Sequence, residues 1–149
     1  MELVIRDLVP LSYNSRDKEK KSEYRKQIRS AFQRKYKGRV PTFPANEELY
    51  ARVYFFTSNG VNVDCDNISK SIWDAVNKLV YVDDRKIVMR TAAVIDVNIH
   101  QFSIIDTSSI ESEVAADLIQ RLTDTEVKCL YIECNKFQES MIKIGVEHI

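Results

Sequence analysis

The chain has little of several residue types that define special classes of protein. Its 149 residues include three glycines, three prolines, three cysteines, two histidines and one tryptophan. With 44% hydrophobic and 30% charged residues, the composition is that of a globular protein rather than a disordered one. This length suffices to bury a substantial core, so we predict a single domain over residues 1–149.

The shortage of cysteine and histidine excludes further classes. Cys65, Cys129 and Cys134 are an odd number without CxxC spacing, and no leader-like apolar segment opens the chain, which predicts a reducing, cytoplasmic setting. His100 and His148 lie far from the cysteines in sequence, which argues against zinc. No apolar run approaches the ~20 residues that span a bilayer, so no membrane partner is expected.

The formal net charge is zero, but the charges are unevenly distributed. Residues 1–60 contain 13 Lys or Arg against 7 Asp or Glu, whereas residues 96–149 contain 4 against 10. Within residues 16–39 there are 11 basic and 3 acidic residues. Because basic side chains bind phosphate backbones by releasing counterions, this segment is the candidate nucleic-acid contact.

The basic segment is predicted to be a helix from Glu23 to about Lys37, with Ser22 as N-cap and Gly38 as its stop. Its candidate DNA-backbone contacts are Arg25, Lys26 and Arg29. A solvated basic face without a partner is the alternative interpretation. The acidic residues found farther along the chain favour the DNA contact.

The most unusual stretch is VDCDNISKSIWDAVNKLVYVDD, at residues 63–84. Asp66 or Asn67 is a suitable N-cap for a helix that ends near Val80. The spacing of its apolar residues predicts one buried face. That face comprises Ile68, Ile72, Val76 and Leu79. Trp73 lies near its polar edge, where it could pack under strands, contact a second copy or touch a base.

Acidic residues concentrate at both ends and on one face of this helix. Asp64 and Asp66 alternate around Cys65, so in extended backbone both carboxylates point to the same side. On the helix, Asp66, Lys70 and Asp74 fall within roughly 80° of one another. The pair Asp83–Asp84 follows the helix and can fold back towards the first acids.

Carboxylates that lie this close repel one another unless a cation is held between them. An all-oxygen ligand set favours Mg²⁺ or Mn²⁺, which suits phosphodiester hydrolysis, and a neighbouring Lys70 can hold a phosphate. The alternative is a solvated charged face with ordinary caps and turns. An EF-hand is excluded because Ser69 stands where that loop needs glycine.

The remaining pattern predicts an α+β fold, with a small mixed sheet packed by helices. Strands are expected at residues 3–9, 48–57, 86–99 and 127–132, with apolar residues at the odd-numbered positions of the third. Thr107 or Ser108 can cap a helix, and Glu111, three residues after Ser108, would complete a capping box with it. Residues 1–106 would form the core, and residues 107–149 an acidic helix–strand extension.

The order of these residues resembles that of the RusA family of Holliday junction resolvases. The pattern is DxDN, then a lysine, a further aspartate and an apolar helix, with an Asp-Asp pair before a strand. The residues that carry the resemblance are Asp64, Asp66, Asn67, Lys70, Asp74, Asp83 and Asp84, with Ile87-Val88 beginning the strand. Pro10, Ser12 and Asn14 also resemble the N-terminal Pro-x-Ser-x-Asn segment of that family. The strongest similarity spans about 25 residues.

The resemblance implies a Mg²⁺ site formed by Asp64, Asp66 and Asp84, with Mn²⁺ as a possible substitute, and a catalytic role for Lys70. Asp74 and Asp83 would be auxiliary groups. A homodimer acting on four-way DNA junctions would be the functional unit, since two equivalent sites suit a two-fold substrate.

The sequence departs from the family pattern in two places. RusA-like chains often carry arginines directly before DxDN, whereas this chain has none at residues 58–63, and its tail beyond about Thr107 is longer and acidic. Two alternative functions therefore remain. One is a non-catalytic protein that binds branched DNA, and the other is a carboxylate–metal enzyme that acts on RNA or a nucleotide.

Overall fold

The computed structural model describes residues 1–11, 14–60, 63–100 and 105–145. Within these residues, four strands form one sheet and three α-helices pack on its faces. In chain order the elements are β1 (Glu2–Arg6), α1 (Lys18–Lys35), β2 (Leu49–Thr57), α2 (Cys65–Val76), β3 (Ile87–Asp96), α3 (Ser112–Leu122) and β4 (Lys128–Lys136). The predicted α+β fold class is confirmed.

The sheet is mixed and has the strand order β1-β4-β2-β3. β2 and β3 are parallel, with Leu49 opposite Ile87 and Thr57 opposite Asp96. Parallel neighbours need a crossover connection, and α2 provides it. β4 is antiparallel to both β1 and β2 and lies between them. The region predicted as an extension therefore supplies a central strand.

The sheet is covered on both faces. On the α1/α2 side, alternate β2 residues such as Val53 and Phe55 join the core with Ile28 and Phe32 of α1. On the α3 side a smaller cluster forms around Phe56 of β2. β3 contributes to both clusters: Ala92 and Val94 pack on the first side, and Ile95, with Val97 directly after the strand, packs on the second. The apolar odd-numbered positions therefore account for only part of what β3 buries.

α1 begins earlier than predicted because a different residue caps it. The Asp17 side chain accepts a hydrogen bond from the Lys20 backbone N–H at 3.0 Å, and Ser22 lies inside the helix. At the other end Gly38 adopts φ +77°, and its N–H donates to the Gln33 carbonyl at 2.8 Å. The left-handed C′ residue that ends the helix is Lys37 (φ +51°), so the predicted glycine stop lies one residue further along.

α2 and α3 also differ from the prediction at their ends. α2 is capped by Asp64 and ends at Val76, and Lys78 after it is in a left-handed conformation (φ +61°) that stops the helix before Val80. Trp73 is fully buried, so it packs beneath the sheet. α3 starts at Ser112 with Glu111 at its cap position and no side-chain capping bond, so the capping box did not form.

Three predictions concern residues outside the described ranges. Ser12 of the Pro-x-Ser-x-Asn segment, the Val61-Asn62 approach to Asp64, and His148 lie there. In the part of the chain that is described, no helix is both long enough and apolar enough to cross a bilayer.

The central position of β4 makes truncation a test of the fold. A chain that ends after Glu126 loses Leu130 and Ile132 from the core and leaves β1 and β2 without their shared neighbour. We expect it to lose cooperative thermal unfolding and near-ultraviolet circular dichroism. A chain that ends after Met141 keeps β4 and should unfold cooperatively. Cooperative unfolding of the shorter chain would contradict the role of β4.

Candidate functional site

Asp64 is held in one orientation by Asn67. Its Oδ1 accepts the Asn67 backbone N–H at 2.9 Å, and its Oδ2 accepts the Asn67 side-chain amide at 3.0 Å. This is an N-capping arrangement, and it explains why asparagine follows the second aspartate: the amide fixes the first carboxylate. Each carboxylate oxygen keeps a second lone pair, so Asp64 can still accept from a ligand.

Asp66 and Lys70 lie one turn apart on the exposed side of α2, beside an open groove with a volume of about 570 Å³. Capping accounts for Asp64 but not for the position of this pair. The far wall of the groove comes from β3. The lining residues are Cys65, Asp66, Ser69, Lys70, Arg90, Thr91 and Ala92.

The sequence interpretation missed Arg90. Period-two alternation places it on the same face of β3 as Ala92 and Val94, which pack against the α1/α2 core. The alternation of the strand therefore indicated which face of β3 carries Arg90. The sequence does not show that β3 lies beside α2, so Arg90 could not be connected with Lys70.

The Asp-Asp pair after α2 separates into two different environments. Asp83 caps the short 3₁₀ helix Asp84–Lys86 and binds the Arg85 guanidinium, with Nη2 at 2.6 Å and Nε at 2.9 Å from Oδ2. The hydrogen bonds from Arg85 lower the pKa of Asp83 to about 2. Asp84 is exposed at the start of the same turn. Asp83 is already neutralised by its neighbour, which leaves Asp84 as the better candidate ligand.

One chain does not gather the predicted metal ligands. Asp66 lines the groove that Arg90 and Ala92 of β3 also line, whereas Asp84 precedes Ile87, and at about 3.3 Å per strand residue these positions on β3 differ by on the order of 10–20 Å. Among the described residues, no group of three or more His, Cys, Asp or Glu could hold a metal ion. The carboxylate chemistry suits Mg²⁺, but the arrangement in a single chain does not fit a complete site.

Asp74, predicted to lie with Asp66 and Lys70, lines a different groove. That groove runs between α1 and α2, where Asp74 and Ser71 meet residues of the first two turns of α1. Its α1 residues are Lys21, Tyr24 and Arg25. The helical rotation of about 100° per residue correctly placed Asp74 on the polar side of α2. α1 packs against that part of the helix, so Asp74 and Asp66 line different grooves.

The three basic residues predicted to contact DNA take three different positions. Arg25 lines the groove between α1 and α2, and Lys26 lines a groove on the other side of α1, against the end of β1. Arg29 turns towards α2, where its Nη1 donates to the carbonyls of Ala75 at 3.1 Å and Asn77 at 3.2 Å. Arg29 thus satisfies carbonyls at the C-terminal end of α2.

A known family profile covers the part of the chain that carries these residues. The family profile described as Endodeoxyribonuclease RusA matches residues 12–101, which is more than half of the chain. The chain belongs to the RusA endodeoxyribonuclease family. The matched segment contains α1, β2, α2 and β3, and with them every predicted site residue. None of the curated proteins compared with the chain matches it.

RusA family members are crossover junction endodeoxyribonucleases and are generally Mg²⁺-dependent, which implies DNA as the substrate class. The strands β1 and β4 lie outside the matched segment. The RusA motif residues are therefore carried by the β2–α2–β3 unit, and the rest of the sheet supports that unit.

The position of Arg29 predicts that its loss affects stability. Arg29→Ala removes a charged donor from two carbonyls at the end of α2, so the free energy of unfolding should fall by about 1–3 kcal/mol. Urea denaturation measures it. Lys26→Ala, at an exposed position one turn away, should change stability by less than about 0.5 kcal/mol. Unchanged stability with weakened DNA binding would instead assign Arg29 to the DNA.

Proposed function

We propose that this RusA family chain is a Mg²⁺-dependent, structure-selective endodeoxyribonuclease that resolves four-way DNA junctions by paired phosphodiester cleavage. The observation that carries the proposal is the pair Asp66 and Lys70, one helical turn apart on an open groove that Arg90 also lines. An acid and two cations beside an open groove suit a phosphodiester, because the acid can hold a metal ion and the cations the phosphate.

Asp64, Asp66 and Asp84 are the proposed ligands of Mg²⁺, which Mn²⁺ could replace. The bound ion supplies a Lewis acid for phosphodiester hydrolysis. Asn67 keeps the Asp64 carboxylate in place through its two hydrogen bonds. Lys70 stabilises negative charge on the phosphate or the leaving oxygen.

The flanking DNA backbone is assigned to the basic surface of α1. Arg25 and Lys26 are exposed and remain in this role. Arg29 was predicted to share it, but its contacts with Ala75 and Asn77 support a structural function. The phosphate contacts of α1 would contribute sequence-independent affinity that falls with rising salt.

A homodimer would bring together the Mg²⁺ ligands that one chain keeps apart. β3 is an edge strand of ten residues, paired only with β2 among the described strands. Asp66 lines a groove with Arg90 and Ala92 near the middle of β3, and Asp84 lies just before the start of the strand. Antiparallel pairing of two β3 edges would bring Asp84 of a second copy towards Asp66 of the first. The two-fold symmetry of such a pair creates two equivalent sites, as two symmetric cuts require.

The alternative of a DNA-binding protein without catalysis also has a supporting observation. The carboxylates do not form a complete site within one described chain, and residues 58–63 lack the arginines that often precede DxDN. Cleavage assays separate this alternative and a different nucleic-acid substrate from the proposal. The substrates needed are four-way junction, flap, duplex and single-stranded DNA, each with and without Mg²⁺.

Asp66→Asn should abolish junction cleavage in Mg²⁺ and leave junction binding largely intact, because it removes a ligand charge but little volume. Gel-shift and cleavage assays on the same preparation measure both. The matched control is Asp117→Asn, which makes the same change on α3, an element that carries none of the proposed ligands. This variant should cleave normally. Cleavage by Asp66→Asn at the wild-type rate would reject the site assignment.

Mixed dimers test whether two copies share each site. Asp66→Asn and Asp84→Asn are each expected to be inactive alone. If each site combines Asp66 of one copy with Asp84 of the other, a mixed dimer has one intact site, and mixing the variants should restore single-strand nicking of the junction. If the sites lie within single copies, mixing restores nothing. Nicking products on a denaturing gel give the answer.

A further inference from the structure

Arg90 occupies a position from which a cation can reach the proposed cleavage groove. It lies on β3 two residues before Ala92, and the alternation of the strand puts both on the face that α2 covers. Ala92 packs against the core, whereas Arg90 is exposed and lines the groove opposite Asp66 and Lys70. Cations from two elements, α2 and β3, therefore flank one acid.

The guanidinium of Arg90 is not already neutralised. Five other arginines of the described chain, Arg6, Arg52, Arg85, Arg121 and Arg29, are engaged in ion pairs or in hydrogen bonds to carbonyls. Arg90 makes neither within the described residues. An unpaired guanidinium has five donors in a planar fork, which matches two oxygens of a phosphate.

Ser69 gives a second indication of a polar ligand in this groove. It lines the groove, it is only 6% exposed, and its hydroxyl has no hydrogen-bond partner among the described residues. A buried hydroxyl without a partner costs about 1–3 kcal/mol, so such groups call for an explanation. A phosphate oxygen that enters the groove would provide an acceptor for it.

We propose that Arg90 binds a non-bridging oxygen pair of the substrate phosphodiester across the groove from Lys70, with the Ser69 hydroxyl as an additional donor. This inference rests on the proposed function and deepens it by assigning a substrate-binding residue that lies outside the DxDN and Asp-Asp motifs. Arg90 then supplies, from the neighbouring strand, the basic contact that residues 58–63 do not provide.

Arg90→Gln, Arg90→Lys and the matched control Arg39→Gln test the proposal in the full chain. Arg39 is exposed and follows α1 next to Tyr36, which contacts Glu2 on the opposite edge strand β1. Junction binding is measured in EDTA over a range of salt concentrations, so it does not depend on the metal. Cleavage in Mg²⁺ gives kcat and KM for each variant.

Arg90→Gln should weaken junction binding in EDTA about tenfold and reduce the slope of log affinity against log salt by about one. Arg90→Lys should restore the slope but only part of the affinity, because an ammonium cannot bind two oxygens as a fork. Arg39→Gln removes the same charge outside the groove, at the end of the basic segment, and should lose clearly less affinity than Arg90→Gln. Thermal melting of each variant shows whether the fold is kept, and Arg90→Lys stands in if Arg90→Gln does not fold.

The outcomes separate this inference from the proposed function. If the wild type binds and cleaves junctions and both Arg90 variants behave like it, the assignment of Arg90 is wrong while the nuclease proposal stands. If Arg39→Gln loses as much affinity as Arg90→Gln, the contact is not specific to the groove and the assignment is again wrong. A wild type that neither binds nor cleaves DNA would overturn both.

Discussion

The burial of the apolar face of α2 against the parallel strands β2 and β3 fixes the arrangement of the site. Ile68, Ile72 and Trp73 are fully buried, and burying each such side chain stabilises the fold by about 1.5–3 kcal/mol. Rotation of α2 about its axis would expose them. The polar side that carries Asp66 and Lys70 is therefore held towards the edge formed by β3, and Asn67 fixes Asp64 at the start of the same helix.

The same constraint extends to α1. Arg29 of α1 donates to carbonyls at the C-terminal end of α2, where the backbone carbonyls have no N–H partner within the helix. The two helices are therefore linked at this point. This contact engages one of the three basic residues predicted to bind DNA, and the other two line grooves on the two sides of α1. A stretch that is uniformly basic in sequence thus becomes two grooves with different neighbours.

The position of β3 at the sheet edge explains how a site can be incomplete in one chain. β2 is enclosed by β3 and β4, whereas among the described strands β3 has a neighbour on one side alone. Arg90 lies on this strand, Asp84 just before it, and Asp66 on α2 across the groove. Unpaired edge strands are common places for a second chain to add. In the proposed dimer, symmetry would place ligands from two copies together, so sheet formation and site assembly would be the same event.

The sequence by itself determined the elements, the α+β class and the residues that carry the RusA motif, because apolar periodicity and capping act over a few residues. It also placed the end of α1 within a few residues of Gly38. Only the tertiary structure decided that β4 enters the middle of the sheet, that Arg29 turns inward, that Asp74 leaves the groove of Asp66, and that Arg90 joins it. These depend on which elements become neighbours, and strand order and helix packing are set by contacts between residues far apart in the chain.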